Sequence, residues 1–233
     1  MVNKAAQSHC TLYTRLCSPA LTALLVLAAA PALGDPMHLE PGQTPPPAGR
    51  LAESRHCATG DVLRAGGCVL QQARNSPSFL VSSSGSSSIN ELTISPAGLA
   101  IDNLPVTVEI DGVVTGAEIA DLDANGWPEV YVYVSSAGSG SYGSLIAYAV
   151  NQGKSMSPIN LASLSDDPEA GAGYMGHDEF ALAGNRLLRR FPVYLPGDTN
   201  HAPSGGTRQL AYRLSPGEAG WLLLPDQVVE TGE

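Results

Sequence analysis

Basic residues are scarce in this 233-residue chain: 12 Lys and Arg stand against 22 Asp and Glu, a net charge of −10. Such a surface disfavours nucleic acid and anionic membranes, whose phosphates are held by clustered Lys and Arg, and it speeds encounter with a cationic protein or ligand. Cysteine is scarce too, with four residues and no CxxC pair, which argues against a metal knuckle or a dithiol redox centre. Aromatic residues make up 6% of the chain, so a ring on a small polar loop stands out. No internal repeat of fixed period is present.

The N-terminus combines Lys4 and Arg15 with the apolar run "SPALTALLVLAAAPALG", Ser18 to Gly34, ending in the small-x-small pattern Ala32-Leu33-Gly34. This is the form of a secretory signal over residues 1–34, with cleavage expected after Gly34 and export of the mature chain. The apolar core is about fifteen residues, short of the roughly twenty that span a bilayer, so no membrane anchor is expected after cleavage, an uncleaved anchor being the alternative. No cysteine follows closely, which disfavours a lipoprotein anchor. Cleavage leaves ten basic residues against 22 acidic ones, a net charge of −12. It also leaves only Cys57 and Cys68, which in an exported chain most simply form one disulfide. Closing the loop "ATGDVLRAGG" between them contributes about 3 kcal/mol by restricting the unfolded chain. The expected product is a stapled peripheral hairpin within residues 55–76, a metal-binding or catalytic cysteine pair being the alternative.

Residues 35–54, "DPMHLEPGQTPPPAGRLAES", are proline-rich without periodicity and read as an extended linker. "SSSGSSS", Ser82 to Ser88, reads as a turn or loop. The rest announces an all-β domain over residues 77–224. Short β-branched or aromatic runs recur: "ELTIS", "VTVEI", "VVTGAEIADL", "EVYVYVSS", "SLIAYAV", "HDEFALA", "RLLRRFPVY", "TRQLAYRL" and "WLLLP". Residues 225–233 then read as an acidic, frayed tail. Asp111-Gly112 and Gly184-Asn185 have the two-residue form of tight hairpins and predict antiparallel neighbours on either side. In "EVYVYV", Val130, Val132 and Val134 point to one face and Tyr131 and Tyr133 to the other. That suits a sandwich or barrel wall, or a surface for self-association.

Four patterns carry candidate chemistry. "DLDANGWPE" places Asp121, Asp123 and Asn125 at alternate positions with Gly126 at the turn, like the opening of a calcium loop. The bidentate Glu required twelve residues in is replaced by Val132, so calcium would need another loop type with Glu129 helping; a bare Asp/Asn turn is the alternative. The serine-rich loop lacks the G-x-S-x-G elbow of an α/β-hydrolase. His177, Asp178 and Glu179 are sequence neighbours that a strand would point to opposite faces, and His38, His56 and His201 lie in linker or loop contexts. Asp166, Asp178 and Glu179 supply carboxylates, but no spacing selects a glycosidase pair. No catalytic residue is therefore assigned. The fourth pattern is the loop "SSAGSGSYGS", Ser135 to Ser144, narrow enough to enter a concave site, with Tyr142 as an amphipathic anchor; an ordinary hairpin loop whose tyrosine folds back on the sheet is the alternative.

At these residues the chain resembles the periplasmic inhibitors of invertebrate-type (I-type) lysozyme. The resemblance runs from about Val106 to Leu214, carried by "EIADLDANGWPEVYVYVSSAGSGSYGSLIAYAVNQGKSMSPI", "GYMGHDEF", "RRFPVYLPGDTN" and "GGTRQLAYRL". The family's S-G-x-Y motif matches Ser139, Gly140, Ser141 and Tyr142. The resemblance implies an exported antiparallel β-sandwich with hairpin connections, found as a homodimer, that blocks glycan hydrolysis and performs none. It implies that Ser139 meets a catalytic carboxyl, Gly140 permits close backbone approach and Tyr142 fills a neighbouring subsite. His177, Asp178 and Arg208 are possible rim residues, with charged strand residues solvated or paired within the sheet as the alternative, and Tyr131 and Tyr133 either stabilise the dimer or cover the sheet. The alternative function is a calcium-dependent exported binding or adhesion module built on Asp121, Asp123 and Asn125.

Overall fold

The computed structural model describes residues 56–231 apart from 64, 86 and 219. The expected signal (1–34) and proline-rich linker (35–54) lie outside the described residues. The chain opens with β1 (His56–Ala58), a short helix α1 (Thr59–Leu63), β2 (Cys68–Gln71) and β3 (Ser78–Ser83). It continues through β4 (Ile89–Ala97), β5 (Val106–Asp111), β6 (Val113–Ala120), β7 (Glu129–Ser135), β8 (Gly143–Asn151) and β9 (Ser155–Leu161). After a 3-10 turn at Leu164–Asp166 come β10 (Glu179–Ala183), β11 (Arg186–Pro192), β12 (Thr207–Pro216) and β13 (Trp221–Thr231). The all-β expectation holds. A four-stranded sheet is ordered β2-β3-β4-β5, and a nine-stranded sheet β1-β6-β7-β8-β9-β13-β12-β11-β10. Neighbours are antiparallel except β9 and β13, which run parallel with Trp221 opposite Ile159.

Side-chain alternation along β7 explains the layering. Val130, Val132 and Val134 enter one core with Phe79, Val81, Leu92 and Ile94 of the four-stranded sheet. Tyr131 and Tyr133 enter a second core with Leu187 and Phe191 of β11 and Leu210 and Tyr212 of β12. The large sheet thus folds on itself, and β7 is buried on both faces. Of the two readings of Tyr131 and Tyr133, a dimer surface or cover for the sheet, the second holds: Tyr131 is fully buried and the Tyr133 ring stacks on Phe180 at 5.7 Å. Burying one such side chain contributes roughly 1.5–3 kcal/mol.

One of the two predicted hairpins forms. Ala183 pairs with Arg186 across Gly184-Asn185, and Gly184 has φ 58, as the first central position of a type II′ turn requires. Asp111-Gly112 does something else. β5 pairs with β4 in the small sheet, whereas β6 pairs with β1 and β7 in the large one, so the chain changes sheets at Gly112. Gly112 has φ 117, its N–H donates to Ser88 O at 2.7 Å, its carbonyl accepts from Asn90 Nδ2 at 2.7 Å, and a Cβ there would collide with the Ser135 backbone. Glycine marks a corner between sheets here, not a hairpin.

The Cys57–Cys68 disulfide forms, and its role is larger than a peripheral hairpin staple. Cys57 lies on β1 of the large sheet and Cys68 on β2 of the small one. Residues 225–231 are also not a frayed tail: they form the second half of β13, with Val228 opposite Leu210 and Glu230 opposite Arg208.

Candidate functional site

The serine-rich loop joins β7 to β8, whose last pair is Ser135 with Gly143. Its neck is closed twice between the same residues: Ser136 N donates to Tyr142 O at 2.9 Å, and Tyr142 N donates to Ser136 Oγ at 2.9 Å. Inside the loop Ser141 N donates to Gly138 O at 3.0 Å, and Ser141 adopts φ 42. The Tyr142 ring lies so close over Gly140 that a Cβ there would collide with it. That ring meets Tyr174 edge-on at 5.6 Å and remains 48% exposed. Ser139 is exposed, and its hydroxyl has no hydrogen-bond partner among the described residues.

A second segment buttresses this loop from outside it. His177, with φ 59, donates its N–H to Gly140 O at 2.8 Å and to Ser141 O at 3.2 Å. Gly176 has φ 94 and abuts the Gly140 carbonyl so tightly that a side chain would strike it. Asn200 Nδ2 donates to Ser139 O at 2.6 Å, and Asn200 O is held by the Tyr194 hydroxyl at 2.8 Å. The exposed apolar side chains Met175 and Leu195 sit next in sequence to Tyr174 and Tyr194.

Beneath lies a buried polar network. Asp178 accepts from Gly143 N at 2.7 Å, from the Tyr174 hydroxyl at 2.6 Å and from Arg189 Nε at 2.6 Å. Arg189 Nη2 also donates to the Tyr174 hydroxyl at 2.8 Å, and its guanidinium covers the Tyr174 and Phe180 rings at 5.0 and 5.5 Å. Burial alone would lower the Arg189 pKa, but the Asp178 charge and hydrogen bond outweigh it, and the net shift is upward. Burial also pushes the Tyr174 hydroxyl up, as does its bond to Asp178. One carboxylate thus pins the start of β8, a tyrosine under Tyr142 and a buried arginine.

Of the three rim candidates, Asp178 and Arg208 take the alternative of pairing within the chain. The Asp178 side chain is 0% exposed and supports the loop from below. Arg208 is buried, donating to the carbonyls of Glu169, Ala170 and Ala172 at 3.2, 2.8 and 2.7 Å and to Glu230 Oε1 at 2.6 Å. It ties the segment after the 3-10 turn to β12. His177 does adjoin the loop, but chiefly through its main chain; its ring approaches Asn200 Oδ1 at 3.4 Å. Gly176, Arg189 and Asn200 were not foreseen. Arg189 had a readable signal, because it shares parity with Leu187 and Phe191 on β11 and so faces the core with them.

At the other end of β7, the acidic turn brings Asp121, Asp123 and Glu129 together, with one carboxylate oxygen from each within 4.8 Å of the others. Asp121 accepts from Asn125 N and Gly126 N at 2.9 Å each. Asn125, a weak ligand candidate in the sequence, takes the bonds of an Asx turn: its Oδ1 accepts from Trp127 N at 2.7 Å and its Nδ2 donates to Asp123 at 2.8 Å. Glu129, expected only to assist, is 0% exposed; its Oε2 accepts from Leu122 N at 2.8 Å and from the Tyr131 hydroxyl at 3.3 Å. Burial pushes the Glu129 carboxyl up to about 8, and the charges of Asp123 and Asp121 push the same way, against the pull of the Leu122 amide.

No family model, curated protein or solved structure matches this chain. The geometry therefore carries the functional reading. Two regions at opposite ends of one central strand offer different chemistry: a fixed, outward-facing Ser-Gly-Ser-Tyr turn, and an acidic turn rich in oxygen donors. The first suits recognition by shape and hydrogen bonding, the second a cation.

Proposed function

We propose that this protein is an inhibitor of I-type lysozyme that acts by occlusion, placing Ser139, Gly140, Ser141 and Tyr142 in the lysozyme cleft. The observation that carries this reading is a narrow turn held from three sides, with the Ser139 hydroxyl and the Tyr142 ring left facing solvent. Preorganisation of this kind raises affinity because little freedom remains to be lost on binding. A glycan-cleaving cleft presents a protonated carboxylic acid and a partner carboxylate. Ser139 supplies a hydroxyl that bonds to either, Gly140 keeps the backbone slim, and Tyr142 takes a sugar-shaped subsite. Met175 and Leu195 extend the contact as apolar flanks. Occlusion asks no chemistry of the inhibitor, so this reading assigns no catalytic residue. The reading includes export by the N-terminal signal and work in the periplasm, an oxidising compartment in which Cys57–Cys68 forms. It also includes the homodimer that the resemblance implies, with Tyr131 and Tyr133 excluded from its interface because they lie inside the chain.

The test is lysis of bacterial cell walls by an I-type lysozyme, with chicken-type and goose-type enzymes in parallel. The wild-type protein is expected to stop I-type lysis. Ser139→Ala/Tyr142→Ala, both changes being at exposed side chains, is expected to stay folded and to weaken inhibition. Loss of a hot-spot anchor costs on the order of 2–4 kcal/mol, roughly thirty- to thousandfold in Kd. Inhibition of none of the three enzymes by wild type, or equal inhibition by the double variant, refutes the reading.

A further inference from the structure

We propose that the β6–β7 turn is a binding site for a hard divalent cation of the calcium class, with Asp121, Asp123 and Glu129 as its carboxylate ligands. Two independent observations point there. One carboxylate oxygen from each residue lies within 4.8 Å of the other two, and oxygens bonded to one calcium at 2.3–2.6 Å can be at most about 5 Å apart. The second is Glu129 Oε1, a buried oxygen with no hydrogen-bond partner among the described residues, on a side chain that is 0% exposed. The other Glu129 oxygen is fixed by Leu122 N and the Tyr131 hydroxyl, so the free one is held in place and not merely unassigned. Buried polar atoms without a partner are rare because each costs its full desolvation.

The contrast with the other buried carboxylates sharpens this. Asp178 has Arg189 at 2.6 Å. Glu118 accepts from the Tyr133 hydroxyl and from Leu182 N, with His56 Nδ1 at 3.7 Å. Glu129 faces two further carboxylates instead, an arrangement that one bound cation converts from repulsive to attractive. The donors are all oxygen, with no histidine or cysteine among them, which selects calcium over zinc or copper. Three carboxylates leave room for water and main-chain oxygens to complete the six to eight ligands that calcium takes.

β7 separates the site from the Ser139–Tyr142 turn by its whole length, Glu129–Ser135, about 20 Å for an extended strand. The ion therefore fixes the entry of the central strand into both cores, and the proposal does not depend on lysozyme recognition.

The test uses the purified protein after EDTA treatment, titrated with Tb3+ as a luminescent calcium surrogate. Trp127, in the turn itself, and Tyr131, whose hydroxyl lies 3.3 Å from Glu129 Oε2, are the sensitisers. Sensitised emission is expected to saturate at one Tb3+ per chain and to be displaced by Ca2+ far more effectively than by Mg2+. Calcium at a hundredfold excess over its Kd is expected to raise Tm by about 5–10 °C. Asp123→Asn, at a partly exposed position with little folding risk, and Glu129→Gln, which keeps the shape and removes the charge, are each expected to weaken binding about tenfold or more. Absence of emission and of a Tm shift in wild type overturns the proposal, as does an affinity within twofold of wild type in either variant. Displacement by Mg2+ as readily as by Ca2+ overturns the assignment to calcium. Cell-wall lysis is not a readout in any arm, so this result and the inhibitor reading fail or stand separately.

Discussion

Ser141 and His177 are both non-glycine residues in left-handed backbone, with φ 42 and φ 59, and they meet through the bond from His177 N to Ser141 O. Such conformations cost of order 1–3 kcal/mol each and persist where the surroundings enforce them, often at functional turns. Here the enforcement comes from Gly176, whose φ of 94 and missing side chain let its segment press against the Gly140 carbonyl. Gly176→Ala is expected to destabilise the fold by about 1–3 kcal/mol, since alanine at positive φ is strained and its Cβ displaces the loop. It is also expected to weaken lysozyme inhibition beyond the loss of folded protein, although residue 176 is buried and touches no partner in the proposed complex. Thermal melts and the lysis assay on the same preparation check this; inhibition that simply tracks folded fraction would remove Gly176 from the recognition argument.

Among the elements, β13 shows how pairing overrides composition. Its second half, "PDQVVET", is polar and acidic, yet Gln227, Val228, Val229, Glu230 and Thr231 pair with β12 from Ala211 back to Thr207. Backbone hydrogen bonds hold that half, aided by Glu230 on Arg208. Removing residues 225–233 is expected to cost about 2–4 kcal/mol, the sum of a few backbone hydrogen bonds at roughly 1 kcal/mol each. That lowers Tm by roughly 5–15 °C in a differential scanning measurement, whereas a frayed tail would leave it unchanged.

At the scale of the whole molecule, net charge governs encounter more than fit. With 22 acidic residues against 12 basic ones in the full chain, such a surface would attract a cationic partner of the proposed kind from a distance and lose that pull as salt shortens the screening length. Association with a cationic I-type lysozyme is expected to slow about tenfold or more between low and high ionic strength, with a much smaller change in dissociation. Stopped-flow or surface-binding kinetics read the two rates separately. A salt-independent association rate would mean that the acidic surface serves solubility alone.

The sequence by itself determined what depends on neighbours along the chain. Alternating β-branched and aromatic residues announced most of the strands, Gly184-Asn185 its hairpin, and Asp121 with Asp123 a turn of oxygen donors. The parity of Val130, Val132 and Val134 against Tyr131 and Tyr133 divided β7 correctly between two faces. Whether the tyrosine face meets solvent, a second subunit or the chain itself was not legible, because alternation specifies two faces and not what covers each. β9 (Ser155–Leu161) escaped notice because of its residues only Ile159 is buried, which leaves no periodic apolar signal. Gly112 was misread because a two-residue turn and a corner between sheets ask the same φ freedom of glycine. Only the tertiary structure decided that Asp178 meets Arg189, that Gly176 and Asn200 brace a loop far away in sequence, and that Glu129 rather than Asn125 completes the acidic turn. The first two are joined by distance across separate segments and the third by the burial of Glu129, and local sequence carries no record of either.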